Sequence, residues 1–229
     1  MRHAAESADA QLWRELHERV DADPDSYWGS IAEALAWDTP WQTIWEPAVG
    51  ARRWFVGGTV DYFATLCGAA RDPKQELLVV YEADGSRCAY RRDELRREIE
   101  RIGSFLIDRG VTPDSTVALC IENRHVAALY ALSCLSIGTQ LAFIYFKTPN
   151  QQLTGTLSLT GADTFVYEHS PRPVSETPDL TAVTTLKRII SVDGCAPSHP
   201  SAVTVAAVLP GDDHASDTFH AARCRRRPS

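Results

Sequence analysis

The sequence lacks the features that mark membrane, secreted and nucleic-acid-binding proteins. No run reaches the roughly 18 apolar residues that a membrane helix needs. The start of the chain carries Glu6 and Asp9 where a signal peptide would have an apolar stretch. A net charge of -7 gives no broad positive field for nucleic acid. We therefore expect a cytoplasmic protein with no membrane span and no nucleic-acid partner.

Metal and disulfide patterns are also missing. The six cysteines include no C-x-x-C pair, and Cys120 and Cys134 lie in apolar runs, as buried thiols of a reducing compartment do. The other candidate ligands are spread through the tail: Cys195, His199, His214, His220 and Cys224. Their gaps do not match paired zinc ligands, so the sequence predicts no metal site.

Common catalytic motifs are absent as well. There is no G-x-G-x-x-G, no G-x-x-x-x-G-K-[ST] and no G-x-S-x-G. Residues 155–161 (GTLSLTG) are rich in Thr and Ser, but they contain no Lys and their Leu spacing suits a helix. His125 follows a strand and could reach the sheet edge where α/β ligands bind. Because no acid or nucleophile accompanies it in the sequence, a surface or capping role is favoured. The sequence thus predicts no catalytic and no cofactor-binding residue.

What the sequence does contain is centred on residues 116–146. Residues 117–121 and 141–146 are apolar runs of the kind that buried strands have. Between them, apolar residues recur at helical spacing until Gly138. This pattern predicts a βαβ unit with parallel strands. Before it lie a hairpin (77–81 and 87–90) and a helix (92–109). After it come a helix (150–161) and strands at 164–167 and 186–192. Strands that alternate with helices predict an α/β fold with a mostly parallel sheet.

The two ends differ in composition from this middle. All six Trp lie in the first 54 residues, which also contain a predicted helix over 8–20 and another that starts at Asp23-Pro24. Packing of the Trp rings on a larger body is favoured over a ligand-stacking surface. The end of the chain is rich in Pro, with a short strand or helix possible over 202–209. We expect a helical, Trp-rich segment (1–58), a partial α/β domain (59–192) and an irregular or disordered tail (193–229).

Several motifs resemble AMP-forming acetyl- and propionyl-CoA synthetases, members of the adenylate-forming superfamily. Their N-terminal segment has a D-P-x-x-[FY]-W helix and a W-F-x-G-G turn, which are matched here by Asp23, Pro24, Tyr27, Trp28, Trp54, Phe55, Gly57 and Gly58. Residues 94–111, VALCIENR and LSIG resemble the first helix and βαβ of the superfamily. The stretch 136–167 is closer to fatty-acid and very-long-chain acyl-CoA synthetases. The resemblance covers residues 12–192, and the tail after it matches nothing in the family.

The resemblance implies a ligase that activates a small carboxylic acid with ATP and Mg²⁺ to acyl-AMP and then transfers the acyl group to coenzyme A. The Lys-bearing phosphate loop, the nucleotide-holding aromatic-T-G-D segment and the C-terminal catalytic Lys of the family are missing. The coenzyme A contact is not carried over to Arg172, and Lys147-Thr148-Pro149 replaces the family Gly-Phe-Ser turn.

These observations leave two hypotheses. The first is a truncated fragment of an acyl-CoA synthetase for acetate or propionate, or for a medium- or long-chain fatty acid, that is inactive alone. The second is a non-catalytic binding or interaction module that associates through its unfinished sheet.

Overall fold

The computed structural model describes residues 8–49, 51–68, 71–81, 85–169, 178–194, 197 and 199–210. The chain divides into two compact units, residues 1–65 and 66–229. The described helices are α1 (Ala8–Ala22), α2 (Pro24–Ala32), α3 (Tyr62–Cys67), α4 (Arg92–Asp108), α5 (Arg124–Ile137) and α6 (Asn150–Thr160). The described strands are β1 (Trp37–Thr39), β2 (Thr43–Ala48), β3 (Ala51–Val56), β4 (Thr59–Val60), β5 (Glu76–Tyr81), β6 (Arg87–Arg91), β7 (Thr116–Cys120), β8 (Gln140–Phe143), β9 (Thr164–Tyr167), β10 (Arg188–Ser191) and β11 (Val203–Ala206).

The first unit begins with the two predicted helices. The carboxylate of Asp23 accepts a hydrogen bond from the Ser26 backbone N–H at 3.0 Å, and Pro24 occupies the first helical turn. Both features confirm the predicted helix start, because Pro fixes the helical φ and the cap satisfies a terminal N–H group.

The segment after Trp37 has more regular structure than the sequence predicted. Strands β2 and β3 form an antiparallel hairpin in which Trp45 lies opposite Trp54, and β1 pairs with β4. The expectation that 1–58 is a helical segment is therefore wrong for residues 37–39, 43–48 and 51–56, which are strands. The strands were missed because Pro47 interrupts the run and the side chains do not alternate between apolar and polar.

A cluster of aromatic rings in tilted and edge-on contact explains the W-F-x-G-G turn of this unit. The rings of Trp37, Trp41 and Phe55 contact one another with centroids 4.8 to 5.8 Å apart. Phe55 has a φ of 50°, in the left-handed region that non-glycine residues rarely adopt. A Cβ on Gly58 would lie 2.5 Å from the Trp37 ring, so no other residue fits without a shift. The motif is thus a requirement of local packing.

The second unit opens with the predicted β5–β6 hairpin, which leads directly into α4. Arg92, only 5% exposed, donates hydrogen bonds to the carbonyls of Leu66 and Asp72 and to the side chain of Gln75. These bonds attach the segment before the hairpin to the first turn of α4. The four predicted apolar positions of α4, which are Leu95, Ile99, Ile102 and Leu106, are all buried.

A five-stranded parallel sheet forms the centre of the second unit, in the order β11-β10-β9-β7-β8. The predicted βαβ unit is β7–α5–β8. Asn123 caps α5, and Gly138, with a φ of 82°, ends it. Strand β9 is buried along its whole length, as a strand with neighbours on both sides and covered faces should be. The α/β fold with a largely parallel sheet is confirmed.

Two strand predictions need correction. Strand β8 ends at Phe143 rather than at residue 146, because the chain turns after it and the Thr148 N–H donates to the Tyr145 carbonyl at 2.8 Å. In the predicted tail, residues 203–206 form β11, which pairs in parallel with β10. The sequence left strand and helix open there, and the structure has the strand. Residues 211–229 lie outside the described part of the chain.

A semi-buried arginine fastens the amino-terminal edge of this sheet. The Arg188 guanidinium donates to the backbone carbonyls of Arg109 and Gly110, which end α4, and to the side chains of Thr164 and Asp163. The sheet and α4 are therefore joined at the start of β9 and β10. No helix in the described residues is long and apolar enough to cross a bilayer.

Candidate functional site

The carboxyl ends of the parallel strands form the candidate site, since ligands of open α/β sheets bind outside this edge. The chain leaves β7 at Ile121, β9 at Glu168 and β10 at Val192. The exposed aromatic side chains Phe143 and Tyr145, at 68% and 64% exposure, lie at the end of β8. The edge therefore combines carboxylates near its middle with exposed rings at one side.

Glu168 ties two of the strand ends together. One of its carboxylate oxygens accepts the backbone N–H groups of Glu122 and Asn123 at 2.8 and 2.9 Å. The Asn123 side chain in turn accepts the N–H groups of His125 and Val126. The amide groups between β7 and α5, which could bind an external anion, are thus engaged by side chains of the chain itself.

A second set of bonds joins β9 to β10. Asp193 accepts the His169 backbone N–H at 3.0 Å and the Ser191 hydroxyl at 3.3 Å. The Tyr167 hydroxyl and His169 Nδ1 are 3.2 Å apart. If Nδ1 is unprotonated, the phenol donates to it. Glu168 and Asp193 therefore both hold the backbone at this edge, through one oxygen of Glu168 and both oxygens of Asp193.

The described residues of this edge are poorly matched to the ATP that the resemblance implies. Its charged groups include Glu122, Glu168 and Asp193, which repel phosphates. Among the described residues, no group of three or more His, Cys, Asp or Glu side chains could hold a metal ion. The described residues therefore offer no metal site that is built from protein ligands alone.

His125 lies where the sequence placed it, at the turn from β7 into α5. Its ring contacts that of Tyr90 in a tilted arrangement, with centroids 5.0 Å apart. It does not join Glu168 and Asp193 through any described hydrogen bond, and its Nε2 is buried without a hydrogen-bond partner. The predicted capping role belongs to Asn123 instead.

Of the candidate metal ligands in the tail, His199 lies in the described residues, whereas Cys195, His214, His220 and Cys224 lie outside them. His199 Nδ1 accepts the backbone N–H groups of Ser201 and Ala202 at 3.2 and 3.0 Å, and Nε2 lies 3.1 Å from the Val183 carbonyl. Both ring nitrogens of His199 therefore form contacts that hold the loop before β11, so this side chain has a structural role.

The remaining candidates from the sequence are residues 155–161, Lys147 and Arg172. Residues 155–161 lie in the last turns of α6 and its αL cap, where Thr156 and Thr160 donate to carbonyls of their own helix. Lys147 approaches the Phe146 ring at 5.2 Å in the turn after β8. Arg172 lies outside the described residues.

Comparison with known families agrees with this fold. Residues 68–222 match the model of AMP-binding enzymes, and residues 13–65 match the model described as acetyl-coenzyme A synthetase N-terminus. The chain therefore belongs to the AMP-binding enzyme family. The match also runs past residue 192, so the expectation that the tail matches nothing in the family is wrong as far as residue 222.

Curated relatives are acetyl-coenzyme A synthetases. The protein from Sodalis glossinidius is 27% identical over 157 residues, which is 65% of this chain and 24% of that protein. The proteins from Gemmatimonas aurantiaca and Penicillium chrysogenum are 30% and 28% identical over 54% and 60% of this chain, and over 19% and 21% of their own length. The chain thus spans less than a quarter of the length of these relatives.

A solved structure confirms the fold. The acetoacetyl-CoA synthetase from Streptomyces lividans superposes with a TM-score of 0.67 over 93% of this chain and 35% of that chain, at 18% identity. At this identity the likeness concerns the fold and not the substrate.

Proposed function

We propose that this chain supplies scaffold to an acyl-CoA synthetase that activates a short-chain carboxylate such as acetate or propionate. The observation that carries the proposal is the succession of the two family matches, 13–65 and then 68–222, in one chain. In the whole enzyme, ATP and Mg²⁺ would convert the acid to acyl-AMP, and coenzyme A would accept the acyl group. A medium- or long-chain acid is the alternative, supported by the resemblance over 136–167.

We further propose that these 229 residues form no acyl-adenylate by themselves. The sequence has no Lys-bearing phosphate loop, and Glu168 and Asp193 at the carboxyl edge are committed to backbone hydrogen bonds. In this proposal the chain positions other segments of the enzyme, and those segments supply the catalytic residues. Cytoplasmic location is part of the proposal, because Cys67, Cys88, Cys120 and Cys134 are free thiols.

Acid-dependent ATP–pyrophosphate exchange tests this proposal. The purified 229-residue chain should give no exchange above a blank with acetate, propionate, butyrate or octanoate. An acetyl-coenzyme A synthetase of the family, assayed in parallel, provides the positive control. Exchange that depends on any of the acids and disappears on heating would contradict the proposed lack of activity. The chain length preferred would then decide between the two substrate classes.

The second candidate is an interaction module, which the outer strands favour. In the described sheet, β8 and β11 each have one neighbour, and Val203 on β11 is 66% exposed. Unpaired edges of this kind accept further strands. Size-exclusion chromatography with light scattering distinguishes the candidates. A monodisperse monomer with a cooperative melt supports an independent module, whereas aggregation supports a fragment.

A further inference from the structure

The side chain of His199 holds the start of the outer strand β11. Its Nδ1 accepts the backbone N–H groups of Ser201 and Ala202 at 3.2 and 3.0 Å. Its Nε2 lies 3.1 Å from the backbone carbonyl of Val183, and Ala202 packs against the hydrophobic core that contains Val183. We call these four residues the His199 latch, because their contacts attach the segment before β11 to the segment 178–187.

A single protonation state of the ring makes all three contacts. A backbone N–H can only donate a hydrogen bond, and a backbone carbonyl can only accept one. Nδ1 must therefore present a lone pair to Ser201 and Ala202, and Nε2 must carry the proton that it donates to Val183. In the doubly protonated ring, Nδ1 would carry a hydrogen that meets two N–H donors, so both of its bonds would be lost. The latch is therefore closed when His199 is neutral and open when it is protonated.

Little other packing holds this end of β11. In the described sheet β11 pairs only with β10, and Val203, Thr204 and Ala206 are exposed. Segments that bury few apolar side chains open locally at low free energy. The ring of His199 is half-buried and not sealed from water. A proton from solvent can therefore reach it without unfolding of the sheet.

The far end of β11 is held by a group that keeps its proton. The Tyr130 hydroxyl donates to the Val208 carbonyl at 3.2 Å and accepts the Val208 N–H at 3.0 Å. Burial raises the pKa of Tyr130, so the phenol stays protonated over the range from about pH 5 to pH 8 in which histidine changes charge. The two ends of one strand should therefore respond differently to pH.

Among the described residues, the segments packed around the latch carry no second group that changes charge in this range. Residues 199–210 have no other ionisable side chain, and α6, which packs on the same core, has none. The charged side chains of residues 178–194 are engaged elsewhere: Asp179 with Thr181, Lys187 with Asp163, Arg188 with the end of α4, and Asp193 with Ser191 and His169. Hydrogen bonds from Thr181 lower the pKa of Asp179, so this carboxylate stays charged while a histidine titrates.

We propose that His199 is a proton-sensitive latch of the sheet edge, whose neutral form holds the start of β11 and whose protonation at Nδ1 releases it. Release uncovers part of the edge of β10, and an uncovered edge can pair with another strand. Proton uptake by one side chain is thereby coupled to opening of the sheet.

Hydrogen exchange of the 229-residue chain, followed by NMR at about pH 8 and about pH 5, tests the latch over the range of histidine titration. After correction for the intrinsic pH dependence of exchange, protection of the Ser201 and Ala202 amides should fall on the order of tenfold at the lower pH, since two neutral hydrogen bonds are lost. The Val208 amide should keep its protection. Ring nitrogen chemical shifts at the higher pH should show Nδ1 of His199 unprotonated and Nε2 protonated.

His199→Asn provides a latch that does not titrate. The Asn side-chain oxygen can accept nearby backbone N–H groups, so protection of the Ser201 and Ala202 amides should no longer change with pH. His169→Asn is the matched control, because His169 is also half-buried and its Nδ1 contacts the Tyr167 hydroxyl, which can donate or accept. This control should keep the pH response of the unmodified chain.

Equal protection of the Ser201 and Ala202 amides at the two pH values would overturn the proposal, as would a protonated Nδ1 of His199 at the higher pH. An unchanged pH response in His199→Asn, or an equal loss of protection at Val208, would also overturn it. If His199→Asn does not fold, the ring nitrogen shifts and the comparison with Val208 in the unmodified chain decide the outcome.

Discussion

Among the described residues of the first unit, the buried apolar residues are Ala32, Ile44 and Phe63, whereas the second unit buries whole strands and helix faces. The first unit relies instead on ring contacts and tight backbone geometry, as around Trp37 and Gly58. The second unit relies on removal of apolar area from water and on a few semi-buried polar links. Local ring packing and burial of apolar area thus stabilise the two units in different ways. Each unit should therefore be sensitive to different substitutions.

The largest effect should come from the sheet core. Phe165 on β9 is fully buried, so Phe165→Ala removes its contacts and leaves a cavity that should cost about 4 kcal/mol. Phe143→Ala on β8 is the control, because that ring is 68% exposed and its loss should cost less than about 0.5 kcal/mol. Urea unfolding measures both. Similar losses of unfolding free energy in Phe165→Ala and Phe143→Ala would contradict the placement of Phe165 in the core.

The next effect concerns the polar link at the amino-terminal edge. Arg188→Met would leave Asp163, whose side chain is 16% exposed, without its semi-buried partner, at a cost of about 3 kcal/mol. Lys187→Met removes a Lys that is 68% exposed and 3.9 Å from the same carboxylate, and should cost less than about 0.5 kcal/mol. Equal melting temperatures of Arg188→Met and Lys187→Met would show that the hydrogen bonds of Arg188 do not stabilise this edge of the sheet.

A smaller effect is expected in the first unit. Gly58→Ala forces its new methyl group against the Trp37 ring, and such overpacking should cost about 2 kcal/mol. Gly155→Ala, within α6, meets nothing within 4 Å and should stabilise by up to about 1 kcal/mol, because Ala favours helix. Thermal unfolding should therefore give a lower melting temperature for Gly58→Ala and a higher one for Gly155→Ala. A tolerated Gly58→Ala would remove the packing explanation of the W-F-x-G-G turn.

The smallest effect is pH-dependent and lies at the start of α4. Hydrogen bonds from the Arg91 guanidinium and then from its backbone N–H lower the pKa of Glu94 to about 2, from an ordinary value of 4.5. A carboxyl with a lowered folded-state pKa stabilises above its unfolded-state pKa and loses that contribution as pH falls toward the folded-state value. The difference in melting temperature between the unmodified chain and Glu94→Gln should therefore shrink between pH 6 and pH 3. A constant difference would contradict the assignment.

The sequence predicted the second unit better than the first for a physical reason. Buried strands and an amphipathic helix leave periodic apolar signals, so β9 and the buried face of α4 were found within a residue or two. The β2–β3 hairpin leaves no such signal, because its cross-strand partners, such as Trp45 and Trp54, are set by register and not by alternation within one strand.

The polar contacts could not be predicted from the sequence. Glu168 reaches the amides of Glu122 and Asn123, and Arg188 reaches the end of α4, across long sequence separations. No local pattern marks such pairs, since they depend on which strands become neighbours. His125 was placed correctly at the turn, but its ring contact with Tyr90 joins α5 to β6, which no local pattern marks.

Native-state hydrogen exchange measures the contrast between the two units most directly. Our account predicts that the amides of β7 and β9 exchange only through global unfolding, while those of the β2–β3 hairpin exchange at least about a hundredfold faster through local opening. The reason is that the described hairpin pairs with no third strand and β3 is largely exposed. Hairpin amides that exchange as slowly as those of β7 would contradict the account.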